Sequence, residues 1–199
     1  MSVCALLLFA TSAHAQQFDF AVGYSTLFST KNPTASQGFL PPPEKGGIVP
    51  SVSFDRIFKD HFGYSAELAF RYKQGIYNNY QQFRPLFYDV NGLYTTRATV
   101  FGARMVKRTS ADFMAGVGGE TVIFYNPYGN CGYASGCPTH LNSNHLLFHL
   151  GFDIRYRFWK RFFVRPEANY YYIVHNSTDF HSDNVLRLGA SVGYTFPRD

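Results

Sequence analysis

The feature that most constrains this chain is its last stretch, Val185–Phe196, where apolar side chains alternate with small or polar ones. Leu186, Leu188, Ala190, Val192, Tyr194 and Phe196 fall on one face, and Arg187, Gly189, Ser191, Gly193 and Thr195 on the other. A period of two places successive side chains on opposite faces of a pleated strand. Such a strand lies between two different surroundings, and what remains to be found is which of them meets the apolar face.

The same alternation recurs upstream. Strands are predicted over Phe18–Leu27, Gly47–Ile57, Phe62–Lys73, from Leu86 onward, and over Asp112–Tyr125, His145–Phe158 and Phe162–Ile173. The fourth strand ends either near Thr95–Arg97 or near Val106–Thr109, with the second preferred. Pro50 lacks a ladder donor and suggests a bulge in the second strand. No segment has a helical period. Long loops at 28–46, 74–85, 126–144 and 174–184, rich in Pro, Gly, Asn or Tyr, alternate with tight turns at 58–61 and 159–161. An up-and-down barrel puts short turns at one end and long loops at the other. The expected fold class is all-β: one eight-stranded antiparallel up-and-down transmembrane β-barrel over residues 16–199.

Composition narrows the alternatives. With 21 Phe, 15 Tyr and only 16% charged residues, the chain is too aromatic and too weakly charged to be disordered. Its net charge of +5 comes from scattered bases rather than a stripe, so no nucleic-acid partner is expected. A mildly basic surface suits anionic lipid headgroups. No apolar run reaches the roughly 18 residues of a membrane helix, so any span must be β. Val3–Ala10 followed by Ala13-His14-Ala15 reads as a secretory signal over residues 1–15, and with no Lys or Arg before it the natural start is expected upstream. Cys131 and Cys137 flank a Gly-rich loop, and in an exported protein they are expected to form a disulfide.

Alternation alone does not separate a membrane barrel from a soluble lipocalin-like one. Three features favour the apolar face outward. The opposite face carries similar numbers of acids (Asp55, Glu67, Asp89, Glu120, Asp153, Glu167) and bases (Arg71, Lys73, Arg155, Arg157, Arg165, Arg187), as buried charge demands. Phe58, Phe62, Phe158, Trp159, Phe162 and Phe163 gather at the short turns, where an interfacial girdle belongs. The Gly-x-Trp signature of lipocalins is absent near the first strand, since the single Trp is Trp159.

A signal, about eight strands, asymmetric loops and a closing Tyr194-Thr195-Phe196 resemble the small outer-membrane barrels of the OmpA/OmpX type. In that family the chain usually ends on the aromatic; here Pro197–Asp199 follow. Phe87–Tyr94 (FYDVNGLY) and Phe113–Glu120 (FMAGVGGE) also resemble an uncharacterised outer-membrane β-barrel family of environmental Gram-negative bacteria. The resemblance implies residence in the outer membrane of a Gram-negative bacterium. It also implies outer-membrane lipid, lipopolysaccharide and the barrel-assembly machinery as partners, and a monomer.

Four candidate chemistries follow. The lumen residues Glu67, Arg71, Asp89, Glu120, Asp153, Arg155, Arg165, Glu167 and Arg187 fill a narrow barrel as a structural network or, alternatively, gate a small pore. His175-Asn176-Ser177 copies the His-x-Ser spacing of lipid A deacylases of the PagL type, whose nucleophile needs an imidazole base and a carboxylate; the Glu of that family has no counterpart after Glu167, leaving Asp179 or Asp183. His140, His145, His149, His175 and His181 lie at scattered spacings, and no metal site is expected from them. Loop aromatics Tyr77, Tyr80, Phe83, Tyr125, Tyr128 and Tyr133 suit a surface ligand, or equally strand extensions or lipopolysaccharide contacts. The functional expectation is a structural or surface-interaction barrel without catalysis or cofactor.

Overall fold

The computed structural model describes residues 17–29, 44–58, 61–77, 81–97, 109–125, 139–180 and 182–196. The expected signal segment, the cysteine pair Cys131 and Cys137, His181 and the tail Pro197–Asp199 lie outside the described residues.

Nine strands run β1 (Gln17–Ser29), β2 (Val49–Phe58), β3 (Phe62–Phe70), β4 (Gly75–Tyr77), β5 (Gln81–Arg97), β6 (Thr109–Tyr125), β7 (His140–Trp159), β8 (Phe162–Ile173) and β9 (Asn184–Phe196). Eight of them close an antiparallel up-and-down barrel. β9 pairs with β1 from Phe18↔Phe196 to Ser29↔Val185, and β3 pairs with β5 from Phe62↔Tyr94 to Phe70↔Leu86. Closure leaves the barrel strands no free edge. The three-residue β4 pairs only with the loop-end extension of β5.

Period-two alternation sets the phase of every strand. Val22, Val90, Val117 and Leu150 face outward and are at least half exposed. In water each would forgo roughly 1.5–3 kcal/mol of burial, whereas a lipid solvent removes that cost. The polar faces turn inward, opposite to a lipocalin. At the short-turn end Phe58, Phe62, Phe158, Trp159 and Phe162 are exposed, and Trp159 stacks on Phe162 at 5.9 Å. Phe163, expected in this girdle, points inward and is fully buried, because it is one residue out of phase with Phe162.

The starts of β5 and β7 differ from expectation for one reason. A transmembrane strand needs about 9–11 residues, yet β7 has 20 and β6 has 17. Their surplus stands beyond the apolar band, where pairing alone selects the residues and polar ones serve as well. So β7 begins at His140 rather than His145, and β5 begins at Gln81 rather than Leu86. In place of one uninterrupted loop after Lys73, β4 forms a small hairpin with β5. At its other end β5 stops at Arg97, which pairs with Ser110, instead of continuing toward Val106. Pro50 makes no bulge: it pairs in regular register with Tyr24 and lies beyond the first β3 partner, Ser51↔Ala69, so no ladder bond to β3 is asked of it. The irregularity in register falls instead between Arg157 and Trp159 in β7.

Candidate functional site

The lumen is filled in layers. At the short-turn end Ile57, Leu93 and Met114 form an apolar floor. Above it Arg155, fully buried, reaches three strands: it pairs with Asp19 of β1, with Asp55 of β2 at 3.1 Å and with Asp112 of β6 at 2.8 Å, while its guanidinium lies 4.8 Å from the centre of the Phe163 ring. Arg165 of β8 bonds Asp55 at 2.8 Å and the Ser53 hydroxyl at 2.7 Å, and lies 3.7 Å from Asp153 and 3.5 Å from Glu167. Asp55 is thus shared by two arginines and also accepts the Ser65 hydroxyl at 2.6 Å.

Arg187 of β9 forms the next layer. The residue one strand away, Glu167, is 3.8 Å from it, but its hydrogen-bond partner is Glu67, across the barrel on β3. In a narrow barrel a long side chain reaches the opposite wall as readily as its neighbour. Higher still, His149 joins Asp89 at 3.2 Å and Asn169 at 3.0 Å, and Asn91 donates to Asp89. An apolar layer covers these groups, with Leu27, Val49, Leu147 and Ile173 around a Phe87–Tyr171 stack 5.4 Å apart.

The mouth at the long-loop end is closed from inside. Phe180, in the β8–β9 connection, is fully buried and packs on Phe83 of β5 at 5.0 Å and Phe124 of β6 at 6.3 Å. Phe83, expected as a loop aromatic, is therefore an interior residue; Tyr125 is half-buried. Asn176 is fully buried, and its amide donates to the Ser182 carbonyl at 3.1 Å and to Glu44 at 3.4 Å. Arg71 sits here rather than in the layered network, half-buried past the end of β3, its guanidinium 5.2 Å from the centre of the Phe83 ring. Gly47 (φ +83) makes room for it, since a side chain there would collide with that guanidinium.

The interior charge is not even. Among the described residues nine carboxylates are buried (Asp19, Glu44, Asp55, Glu67, Asp89, Asp112, Glu120, Asp153, Glu167) against three arginines (Arg155, Arg165, Arg187). Lys73 is exposed and Arg157 half-buried, so the expected parity of acids and bases does not hold. The formal charge of this buried set is −6, and with a net +5 every other residue together carries +11. Asp19 and Asp112 were legible in strand phase, as the inward neighbours of Phe20 and Phe113. Glu44 was not, because it lies between Pro43 and Gly46 with no periodicity to place it.

The hydrolase constellation does not converge. His175 is exposed in the left-handed region (φ 62) and Ser177 is exposed. Asp183 accepts the Ser177 backbone N–H at 2.7 Å and the Thr178 hydroxyl donates to the His175 carbonyl at 2.7 Å; among the described residues no hydrogen bond joins the His175 ring to the Ser177 hydroxyl. Among those residues, too, no three His, Cys, Asp or Glu side chains are placed to hold a metal ion.

No family model matches the chain, and no curated protein sequence matches it. Solved structures do. The attachment invasion locus protein Ail of Yersinia pestis, in complex with the heparin analogue sucrose octasulfate, aligns with TM-score 0.58 at 12% identity over 91% of this chain and 99% of that one. Neisserial surface protein A aligns with TM-score 0.58 at 10% identity over 93% and 98%. This is the fold of the small outer-membrane β-barrels. The N-terminal barrel domain of Pseudomonas aeruginosa OprF shares it, with TM-score 0.53 at 12% identity over 91% and 97%.

Proposed function

We propose that this protein is a non-catalytic barrel of a bacterial outer membrane, with a filled lumen, that acts at the cell surface through its long-loop end on anionic groups of glycolipids or glycans. The segregation of charge carries this reading. Acids are drawn into the lumen, which leaves the rest of the chain with a formal +11, a balance that favours polyanionic partners. At the long-loop end Lys45 and Lys73 are exposed, next to outward-facing Ile48, Tyr72 and Ile76, each more than half exposed. That neighbourhood of cations and an apolar edge suits the boundary between acyl chains and phosphorylated headgroups. Ail, of the same fold, was solved with a sulfated sugar bound.

Immobilised heparin tests the reading. The refolded protein is expected to bind at low salt and to elute by roughly 0.5 M, where the screening length falls to a few Å. Lys45→Glu with Lys73→Glu is expected to elute at distinctly lower salt. Flow-through at low salt, or an unchanged elution point for the double variant, contradicts the proposal.

A further inference from the structure

A single register row winds around the outer wall of the barrel. It joins Phe196 to Phe18, Arg56, Tyr64 and Gly92 and continues through Ala115 to Leu186. Because it leaves β9 at Phe196 and returns to it at Leu186, the row climbs from the short-turn end toward the long loops. Along it lies an apolar groove in the lipid-facing wall. The groove opens at Phe58 and Phe62, the pair that closes the β2–β3 hairpin. Its floor is Gly92 and Ala115, paired with each other, and then Ala168. These three positions carry no side chain beyond Cβ, while Tyr94, Phe113 and Phe152 stand as a wall on the side of the short turns.

We propose that this groove seats one acyl chain of a glycerophospholipid from the periplasmic leaflet, with Arg56 holding the phosphate of that lipid. The seat is on the wall of the barrel and does not depend on the surface role of the long-loop end.

Length and slope fit one chain of one leaflet. The row crosses five strand spacings between Tyr64 on β3 and Leu186 on β9. At about 4.8 Å per spacing and a strand tilt of about 40°, that stretch is about 24 Å long and rises about 15 Å, half of a hydrocarbon core about 30 Å thick. Charge fits as well. Arg56 is the one charged residue among the outward positions of β2, with Phe54 before it and Phe58 after it. An arginine on the lipid face is costly at mid-membrane and tolerated only near an interface. The row places Arg56 there, next to Phe18, which pairs with Phe196 at the end of β9. Its guanidinium lies 5.0 Å from the centre of the Phe18 ring and 6.0 Å from that of Tyr64, and donates to the Tyr64 hydroxyl at 3.3 Å. Those contacts hold a planar fork of N–H donors, the group that suits a phosphate. The short turns of such barrels face the periplasm, so the phosphate belongs to that leaflet. A second copy of the barrel would bring an apolar wall to the groove but no anion to Arg56.

Native mass spectrometry of the folded protein in detergent micelles tests the seat. Phosphatidylglycerol is titrated in, a diacylglycerol with the same chains serves as the phosphate-free probe, and heat-modifiable gel mobility confirms folding. The wild type is expected to bind one phosphatidylglycerol saturably, and about tenfold or more tighter than the diacylglycerol, the scale of one charge-assisted hydrogen bond. Arg56→Gln is expected to lose that preference. Ala115→Phe fills the floor and is expected to weaken both lipids about tenfold or more, as losing the burial of a few methylenes would. Val22→Phe is the control, outward on β1 between Val52 and Val192 and away from the groove, and is expected to bind as the wild type does. Non-saturable uptake by the wild type, unchanged binding in Ala115→Phe, or an equal loss in Val22→Phe overturns the seat. So does a protein dimer that Ala115→Phe dissociates, which would assign the groove to a second copy. If Ala115→Phe does not fold, Arg56→Gln decides: an unchanged preference for phosphatidylglycerol overturns the proposal.

Discussion

Arg155→Met is expected to destabilise the folded barrel by about 3–5 kcal/mol, the cost of removing one partner from a buried ion cluster. The guanidinium joins Asp19, Asp55 and Asp112, from β1, β2 and β6, with none of these side chains more than 1% exposed. Met keeps the volume but leaves three carboxylates facing one another, with Arg165 reaching only Asp55 among them. The change thus acts on the closure of the barrel rather than on one strand. Urea unfolding in detergent micelles measures it, as a lower midpoint with an unchanged slope. Arg161→Met is the control: Arg161 is exposed in the β7–β8 turn, where its guanidinium donates to the Tyr194 hydroxyl at 3.1 Å, and a shift within about 0.5 kcal/mol is expected. Equal midpoints for Arg155→Met and wild type would show that the cluster does not hold the strands together.

Gly118→Val carries the second large effect. Gly118 faces the lumen on β6 opposite Asp89, and any side chain there would run into the Tyr88 carbonyl oxygen and the Asp89 Cα and Cβ on β5. The obstacle is largely backbone, and in a closed barrel β5 cannot retreat without straining its pairing with β3. Overpacking of this kind costs about 1–3 kcal/mol or more. Gly92→Ala, on the outward face of β5, is the counterpart. Its nearest neighbour would be the Ala115 carbonyl at 3.7 Å, so it is expected to leave the urea midpoint unchanged. A neutral Gly118→Val would mean that the lumen at this level has room to spare.

How much of this was legible from the sequence depends on what chose each residue. Within the apolar band each side chain answers to lipid or lumen, so alternation located β8 at its observed bounds. Beyond the band that selection lapses, and the polar starts of β5 and β7 read as loop. Strand phase turned Asp55, Glu67, Asp89, Asp153 and Glu167 inward, while Asp19 and Asp112, equally in phase, were not singled out. The partners of the inward residues were not legible, because alternation gives a face and not a distance: Arg187 bonds Glu67 across the barrel, while Glu167 on the adjacent strand is at 3.8 Å. The mouth was least legible of all. Glu44, Asn176 and Phe180 lie in connections without a period, and only folding shows that they turn inward.

The central claim, that the lumen is a packed interior and not a passage, is tested most directly by single-channel recording in planar bilayers. The ionic layers around Arg155, Arg165 and Arg187 fill the barrel below the mouth, so the protein is expected to be electrically silent at both pH 5 and pH 8. Steady, stepwise ohmic conductance from the folded wild-type protein at either pH would contradict the account.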